Sequence, residues 1–421
     1  MTTPPTVLTR GERFRLILLL GSLIALGPLT IDTYLPALPA ITGDLAASPA
    51  AVQLTLTGTL VGLAVGQLLI GPLSDTYGRR GPLLIGMGVH VVASVLCALA
   101  PSIAVLGLLR VLQGAGAAAG SVVAMAIVRD LFTGRAAATL LSRLILVMGV
   151  APVVAPALGG EILRYGSWRW VFAVLAAISL LLIPLVWWLL RETLPPQRRR
   201  PAGFGAMART SLSLLRDRVF LGLVLVAGLA FSALFAYIAG SSFVLQEAYG
   251  LSEQAFGLLF GVGAFWLIAA TQLNAYLLRR TEPRTLLPVA LGVGLLASVA
   301  LVATAVTGFG GLAGLLIPLW TVLAALGLAI PNAPALALSR HGEAAGTAAS
   351  LLGAANFGIG GIVSPLVGAL GNDAVAMAGI MAALMALSLA VLLVVVRPWH
   401  LADLDAELDP GRPPATAGRP A

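Results

Sequence analysis

The 421-residue sequence contains no lysine, one cysteine and three histidines, and charged residues occupy only 10% of its positions. Each scarcity removes an option. The lone Cys97 excludes an intrachain disulfide framework and reads as a small core residue. No HExxH, paired-aspartate motif or P-loop is present, which argues against a membrane-embedded enzyme with a clustered metal site and against an ATP-driven pump. So little charge also leaves too few polar residues to cover a water-soluble domain of this length.

What the chain has instead is hydrocarbon: 59% hydrophobic residues and a mean hydropathy of +1.00. Crossing a hydrocarbon core takes about 20 helical residues, and apolar runs of that order recur from end to end. Twelve spans are expected, near 14–38, 51–72, 82–100, 103–128, 138–163, 170–190, 219–243, 255–278, 285–307, 311–334, 345–370 and 373–396. They must be helices, because long runs such as Val174 to Leu190 lack the short alternating pattern of a barrel. The net charge of +8 is carried by arginines scattered in short loops, so its expected partners are lipid headgroups rather than nucleic acid.

Arginine also sets direction, since it accumulates in cytoplasmic loops. Arg10, Arg13 and Arg15, then Arg79 and Arg80, Arg129 and Arg135, Arg198 to Arg200, Arg279, Arg280 and Arg284, Arg340 and Arg397 fall in alternate connections. The intervening loops carry Asp44, Glu247, Glu253 and Asp373, with Arg164 and Arg169 as the exception. Both termini are therefore expected in the cytoplasm, with the chain in a bacterial inner membrane. Residues 1–190 read as a first six-helix bundle, 191–217 as an Arg-rich linker, 218–396 as a second six-helix bundle and 397–421 as a disordered polar tail. Two such repeats are the usual construction of a secondary transporter with its site at their interface.

Several stretches permit a family comparison. GPLSDTYGRR (Gly71 to Arg80) resembles the loop signature of the major facilitator superfamily. RVLQGAGAAAG (Arg110 to Gly120) resembles its fourth-span motif, and PVVAPALGG (Pro152 to Gly160) its antiporter signature. TIDTYLPALP, VRDLFTGR, YIAGSSFVLQEAYGLS and AGTAASLLG resemble the Bcr/CflA drug-resistance group of proton-coupled exporters. Ala155 replaces a usual glycine, Asn356 stands where glutamine is expected, and Leu278 replaces the loop acid in the second half. The resemblance implies an all-α, twelve-helix major facilitator fold and efflux of small amphipathic molecules by alternating access. It implies protons, a small-molecule substrate and the bilayer as partners, a monomer, and no cofactor or metal.

Residue chemistry gives the candidate sites. Asp32 is an acid inside the first span, expected about six residues from its outer end, and Arg110 lies at similar depth in the fourth. A lone charge in hydrocarbon costs about 2.5–3.5 kcal/mol or more, so the two are expected to pair directly or through water, with Gln113 orienting Arg110, in a proton-coupling site. A static ion pair is the alternative. Gly71, Asp75, Gly78, Arg79, Arg80, Arg129 and Asp130 form a candidate gate at the arginine-rich face, with the start of the eleventh span docking near Asp75. Gly149, Pro152, Pro156, Gly159 and Gly160 form a stripe that reads either as a bending hinge or as close packing. Candidate substrate contacts are Tyr34, Phe231, Phe235, Trp266, Trp320, Asn356 and Phe357. Tyr34, two residues from Asp32, is expected on a different face. His90 could titrate, and His341 reads as loop. Export of a metabolite or amino acid remains the main alternative function.

Overall fold

The computed structural model describes residues 10–132, 134–199, 204–340 and 344–401, and among them there is no strand. Eleven helical stretches of the described residues are long and apolar enough to cross a membrane. A further helix, α6, fills the twelfth place expected from the sequence.

The first bundle comprises α1 (Arg10–Asp32), α2 (Leu38–Asp44), α3 (Pro49–Tyr77), α4 (Arg80–Ala98), α5 (Ile103–Leu131), α6 (Gly134–Tyr165) and α7 (Arg169–Leu189). A surface helix, α8 (Phe204–Arg216), leads to the second bundle. That bundle holds α9 (Arg218–Phe243), α10 (Glu253–Leu277), α11 (Pro283–Thr307), α12 (Gly311–Ala329), α13 (Asn332–Ser339), α14 (Ala345–Ala369) and α15 (Ala374–Val391). The tail expected beyond His400, residues 1–9 and His341 lie largely or wholly outside the described residues.

Local sequence explains where the helices start. Ser48, Ser102, Asp217, Ser252 and Asp373 each turn a side-chain oxygen onto a free N–H in the first turn of α3, α5, α9, α10 and α15. Pro49 follows the first of these caps at the first helical position, where its missing N–H costs nothing.

The first span ends later than expected. The α-helix stops at Asp32, a turn and a 3₁₀ segment (Leu35–Ala37) follow, and α2 then carries the chain to Asp44. Pro36 and Pro39 begin these short helices rather than terminating the span. Asp32 thus lies at a break inside the membrane-crossing stretch Phe14–Asp44, twelve residues from its end and not six.

The two bundles meet along two seams, α3 with α14 and α6 with α10. Among the described residues, every hydrogen bond crossing between them lies toward the end of the molecule opposite the α3–α4 loop, called the far end below. Large apolar side chains such as Leu108, Leu181, Trp188 and Leu296 are exposed on the perimeter, the placement expected of surfaces solvated by lipid.

Candidate functional site

The break after Asp32 sends neighbouring side chains to different places. Tyr34 turns into the first bundle, fully buried, where its hydroxyl is 2.9 Å from Thr55 Oγ1. The Arg110 guanidinium lies 4.4 Å above its ring and 5.5 Å from that of Phe172, a cation–π arrangement worth about 2 kcal/mol when desolvated. Tyr34 is therefore a support for Arg110 inside one bundle, not a lining residue of a cavity between the two.

Arg110 is held by Nη1, which donates to the Thr30 carbonyl at 3.0 Å and to Gln113 Oε1 at 2.6 Å. Gln113 in turn donates to Ser94 Oγ at 2.8 Å, so the expected orienting contact is present and is itself anchored. His90 completes this buried polar core, its ring nitrogens 2.9 Å from Thr30 Oγ1 and 2.8 Å from Ser179 Oγ. It bridges α1, α4 and α7. Sequence reasoning singled out His90 but missed Thr30, Ser94 and Ser179, whose hydroxyls offer no distinguishing pattern in an apolar run.

The direct pair expected between Asp32 and Arg110 is not formed. Asp32, only 4% exposed, ends α1 three residues before Leu35, whose carbonyl accepts a bond from Ser242 of the second bundle. Arg110 keeps Nε and Nη2 buried without a hydrogen-bond partner. The physical reason is spacing on α1: Thr30 and Asp32 both lie on the unbroken helix, where positions two apart do not face each other, so the carboxylate points away from the Thr30 carbonyl that Arg110 takes.

The proline–glycine stripe of α6 packs directly on the opposite bundle. A side chain at Gly257 would meet the Pro156 carbonyl at 2.8 Å, and one at Gly160 would meet the Glu253 carbonyl at 2.7 Å. Gln254 Nε2 donates to the Gly160 carbonyl at 3.0 Å. Gly159 faces the broken first span instead, where an added carbon would sit 2.1 Å from the Thr33 carbonyl. Gly149 faces Ile268 of α10. Helix α6 runs unbroken through Pro152 and Pro156, so in this conformation the stripe is a packing surface.

At the arginine-rich face, Arg79 Nη1 bonds Asp75 at 2.5 Å and Ser74 Oγ at 2.9 Å, while Nε bonds Asp130 at 2.8 Å. Burial works against the Arg79 cation, but its bonds to Asp130 and Asp75 outweigh it and raise its pKa. Glu192, just beyond α7, accepts the backbone N–H groups of Arg79 at 2.8 Å, Arg80 at 3.2 Å and Leu194 at 3.0 Å. Burial opposes that carboxylate too, yet the three donors hold it below the ordinary range. Thr193 adds a bond to Asp130 at 3.1 Å. The segment after α7 thus folds back to cap α4, a contact the sequence reading missed. Gly78 makes room for it with φ +92° and with Glu192 and Arg199 against its Cα.

Three gate expectations are corrected here. Gly71 lies inside α3 with open space around it and, among the described residues, bonds none of the gate's charged side chains. Arg129 is exposed and outside the network, while Arg80 stacks on Trp187 at 4.4 Å. Among the described residues no bond joins Asp75 to the start of α14.

In the second bundle Phe231, Phe235 and Phe357 form an aromatic trio with centroids 5.3–6.4 Å apart. Asn356, beside Phe357, keeps a buried Oδ1 without a partner. Trp320 lies half-buried near Gly263. Trp266 does not belong with them: Leu258, Val262 and Trp266 repeat every four residues and are all exposed, which puts Trp266 on the outer stripe of α10.

Residues 18–365 match the Major Facilitator Superfamily. The chain belongs to that family. It is 42% identical over 375 residues to the uncharacterized transporter YdgK of Bacillus subtilis (strain 168), covering 89% of this chain and 93% of that one. It is 34% identical to a bicyclomycin resistance protein homolog of Haemophilus influenzae (86% and 91% covered) and 30% identical to a chloramphenicol resistance protein of Pseudomonas aeruginosa (84% and 83%). In fold it is similar to a D-xylose–proton symporter (TM-score 0.69, 19% identity, 92% and 98% covered). It also resembles a bacterial homolog of the lysosomal transporter Spinster in an inward-facing form (TM-score 0.68, 18%, 93% and 97%). Family and fold are those of a transporter in the major facilitator superfamily.

Proposed function

We propose that this protein exports small amphipathic, drug-like molecules in exchange for protons, by exposing a cavity between its bundles alternately to either side of a bacterial inner membrane. The arginine-rich face, both termini and the linker 191–217 lie in the cytoplasm, and the chain carries out no chemical conversion. Bundles 1–190 and 218–396 rock against each other, and 397–421 is a cytoplasmic tail.

The observation that carries the reading is Asp32: a buried acid at the break that ends α1, three residues from the Leu35 carbonyl bonded by the second bundle, and unpaired with an Arg110 that has bonding capacity to spare. An ionised carboxylate in such a place is costly. Whichever conformation brings it a cation or water favours losing the proton, and the other favours keeping it. Protonation and rocking are thereby linked. The α6–α10 seam supplies a smooth contact for that motion, and the Arg79–Asp130–Glu192 cluster stabilises the cytoplasmic loop. The names of the resistance relatives support a drug as cargo. The aromatic trio offers it an apolar wall, and Asn356 Oδ1 offers one hydrogen-bond acceptor.

The test is transport in proteoliposomes. Asp32→Asn should abolish substrate movement driven by an imposed pH gradient while leaving substrate-for-substrate exchange in place. Undiminished gradient-driven transport in that variant would overturn the coupling role.

A further inference from the structure

The α3–α14 seam is fastened at the far end by two side chains of α3, Gln53 and Thr57, which reach backbone groups and the Asn372 side chain of the opposite bundle. We infer that Gln53, assisted by Thr57, is the catch that sets how readily the far end opens, and so fixes the resting balance between the two exposures. This goes beyond the efflux reading, which says nothing of what holds that end shut.

Gln53 is fully buried in the first turns of α3. Its amide has two N–H donors and one acceptor oxygen, and all are engaged across the seam. Nε2 donates to the Ala239 carbonyl of α9 at 3.2 Å and to Asn372 Oδ1 at 2.8 Å, while Oε1 accepts the Gly368 N–H of α14 at 2.7 Å. Opening the far end breaks all three together. Asn372 is fixed by its own turn: its φ is 56°, a left-handed conformation asparagine tolerates better than most residues, and its N–H bonds the Val367 carbonyl at 2.9 Å.

One turn deeper, Thr57 Oγ1 donates to the Gly361 carbonyl at 2.7 Å. The regular helical donor to that carbonyl would be the N–H of residue 365, which is proline and has none. Pro365 thus leaves an acceptor on α14 that the opposite bundle takes up. Ser242 and Gln246 also cross at this end, to the Leu35 and Pro36 carbonyls, but each makes a single bond across the interface.

The energetic sign is clear. In the closed form Gln53 is fully buried and Thr57, Gly368 and Asn372 are partly so, and removing one partner leaves the others with less water to bond than they have once the end opens. Loss of Gln53 or Thr57 therefore penalises the closed form more than the open one.

The experiment uses the full-length protein in bilayer nanodiscs, with a reporter thiol introduced by Ser242→Cys. That position is fully buried and its side chain touches Leu35 of the other bundle, so alkylation there proceeds only when the far end opens. Native Cys97, buried within the first bundle, is the internal control, and mass spectrometry separates the two peptides. Gln53→Leu should raise the reporter's alkylation rate about tenfold, equivalent to about 1.4 kcal/mol. Thr57→Val should raise it several-fold, and Thr57→Ser should return it to the starting rate. No change in either variant overturns the inference, and so does an equal rise at Cys97, which would signal general loosening. Should Gln53→Leu not fold, the Thr57 pair decides alone. No substrate or proton gradient is involved, so failure of the efflux reading leaves this result readable.

Discussion

Replacing Glu192 should release the start of α4 without disturbing the membrane spans. Its carboxylate accepts three backbone N–H groups, from Arg79, Arg80 and Leu194. A hydrogen bond to a charged group contributes about 1.5–3 kcal/mol when well buried. Glu192 is exposed in part, so solvent screening reduces each to about 0.5–1 kcal/mol. Three such bonds make Glu192→Ala worth about 2 kcal/mol of local stability, or roughly a thirtyfold loss of protection. Glu192→Gln should fall between, because one carbonyl oxygen can still serve Arg79 and Leu194 at the position of Oε1 while its NH₂ faces the Arg80 donor. The assay is amide hydrogen exchange, followed by mass spectrometry, on the peptide containing Arg79 and Arg80. The pH dependence has a fixed sign. The folded carboxylate titrates below its ordinary value of 4.5, so the clamp is whole above that value and is lost as pH falls through the lower, folded value. Unchanged exchange at Arg79 and Arg80 in Glu192→Ala would refute the clamp.

Two further outcomes follow from packing. Gly159→Ala places a carbon 2.1 Å from the Thr33 carbonyl, so α1 or α6 must shift; a loss of about 1–3 kcal/mol, the range for overpacking, should appear as a lower unfolding temperature, and an unaltered one would contradict the close approach. Phe235→Ala should reduce drug export measured as resistance in an efflux-deficient host, whereas Trp266→Leu, on the outer stripe of α10, should leave it within about twofold; the reverse ranking would mean the aromatic trio is only core.

The spans were legible because membrane crossing demands long runs of one kind of residue, and little else in a sequence imitates them. Arg110 and Gln113 were legible as well, since three residues apart on a continuous helix means one face. The same rule set Tyr34 apart from Asp32, as found, but could not show that Tyr34 supports Arg110 rather than lining a cavity, because the chain breaks between Asp32 and Leu35 and the side chain turns inward. Trp266 and Trp320 look alike as letters on helices, and only packing tells an outer face from an inner one. Glu192 and Gln53 carry no local pattern at all. Apart from Leu194, two residues from Glu192, their partners lie 112–113 and 186–319 residues away, brought near only once the chain has folded back or the bundles have met.

Trp170, Trp187, Trp188, Trp266 and Trp399 are exposed on the perimeter, while Trp168 is buried and Trp320 half-buried. Five of the seven indoles therefore emit from surroundings governed by lipid and headgroup. Intrinsic fluorescence of this transporter is a gauge of its membrane more than of its cargo. A titration meant to follow drug entry needs the outward indoles replaced first, leaving Trp320 as the light source nearest the central helices.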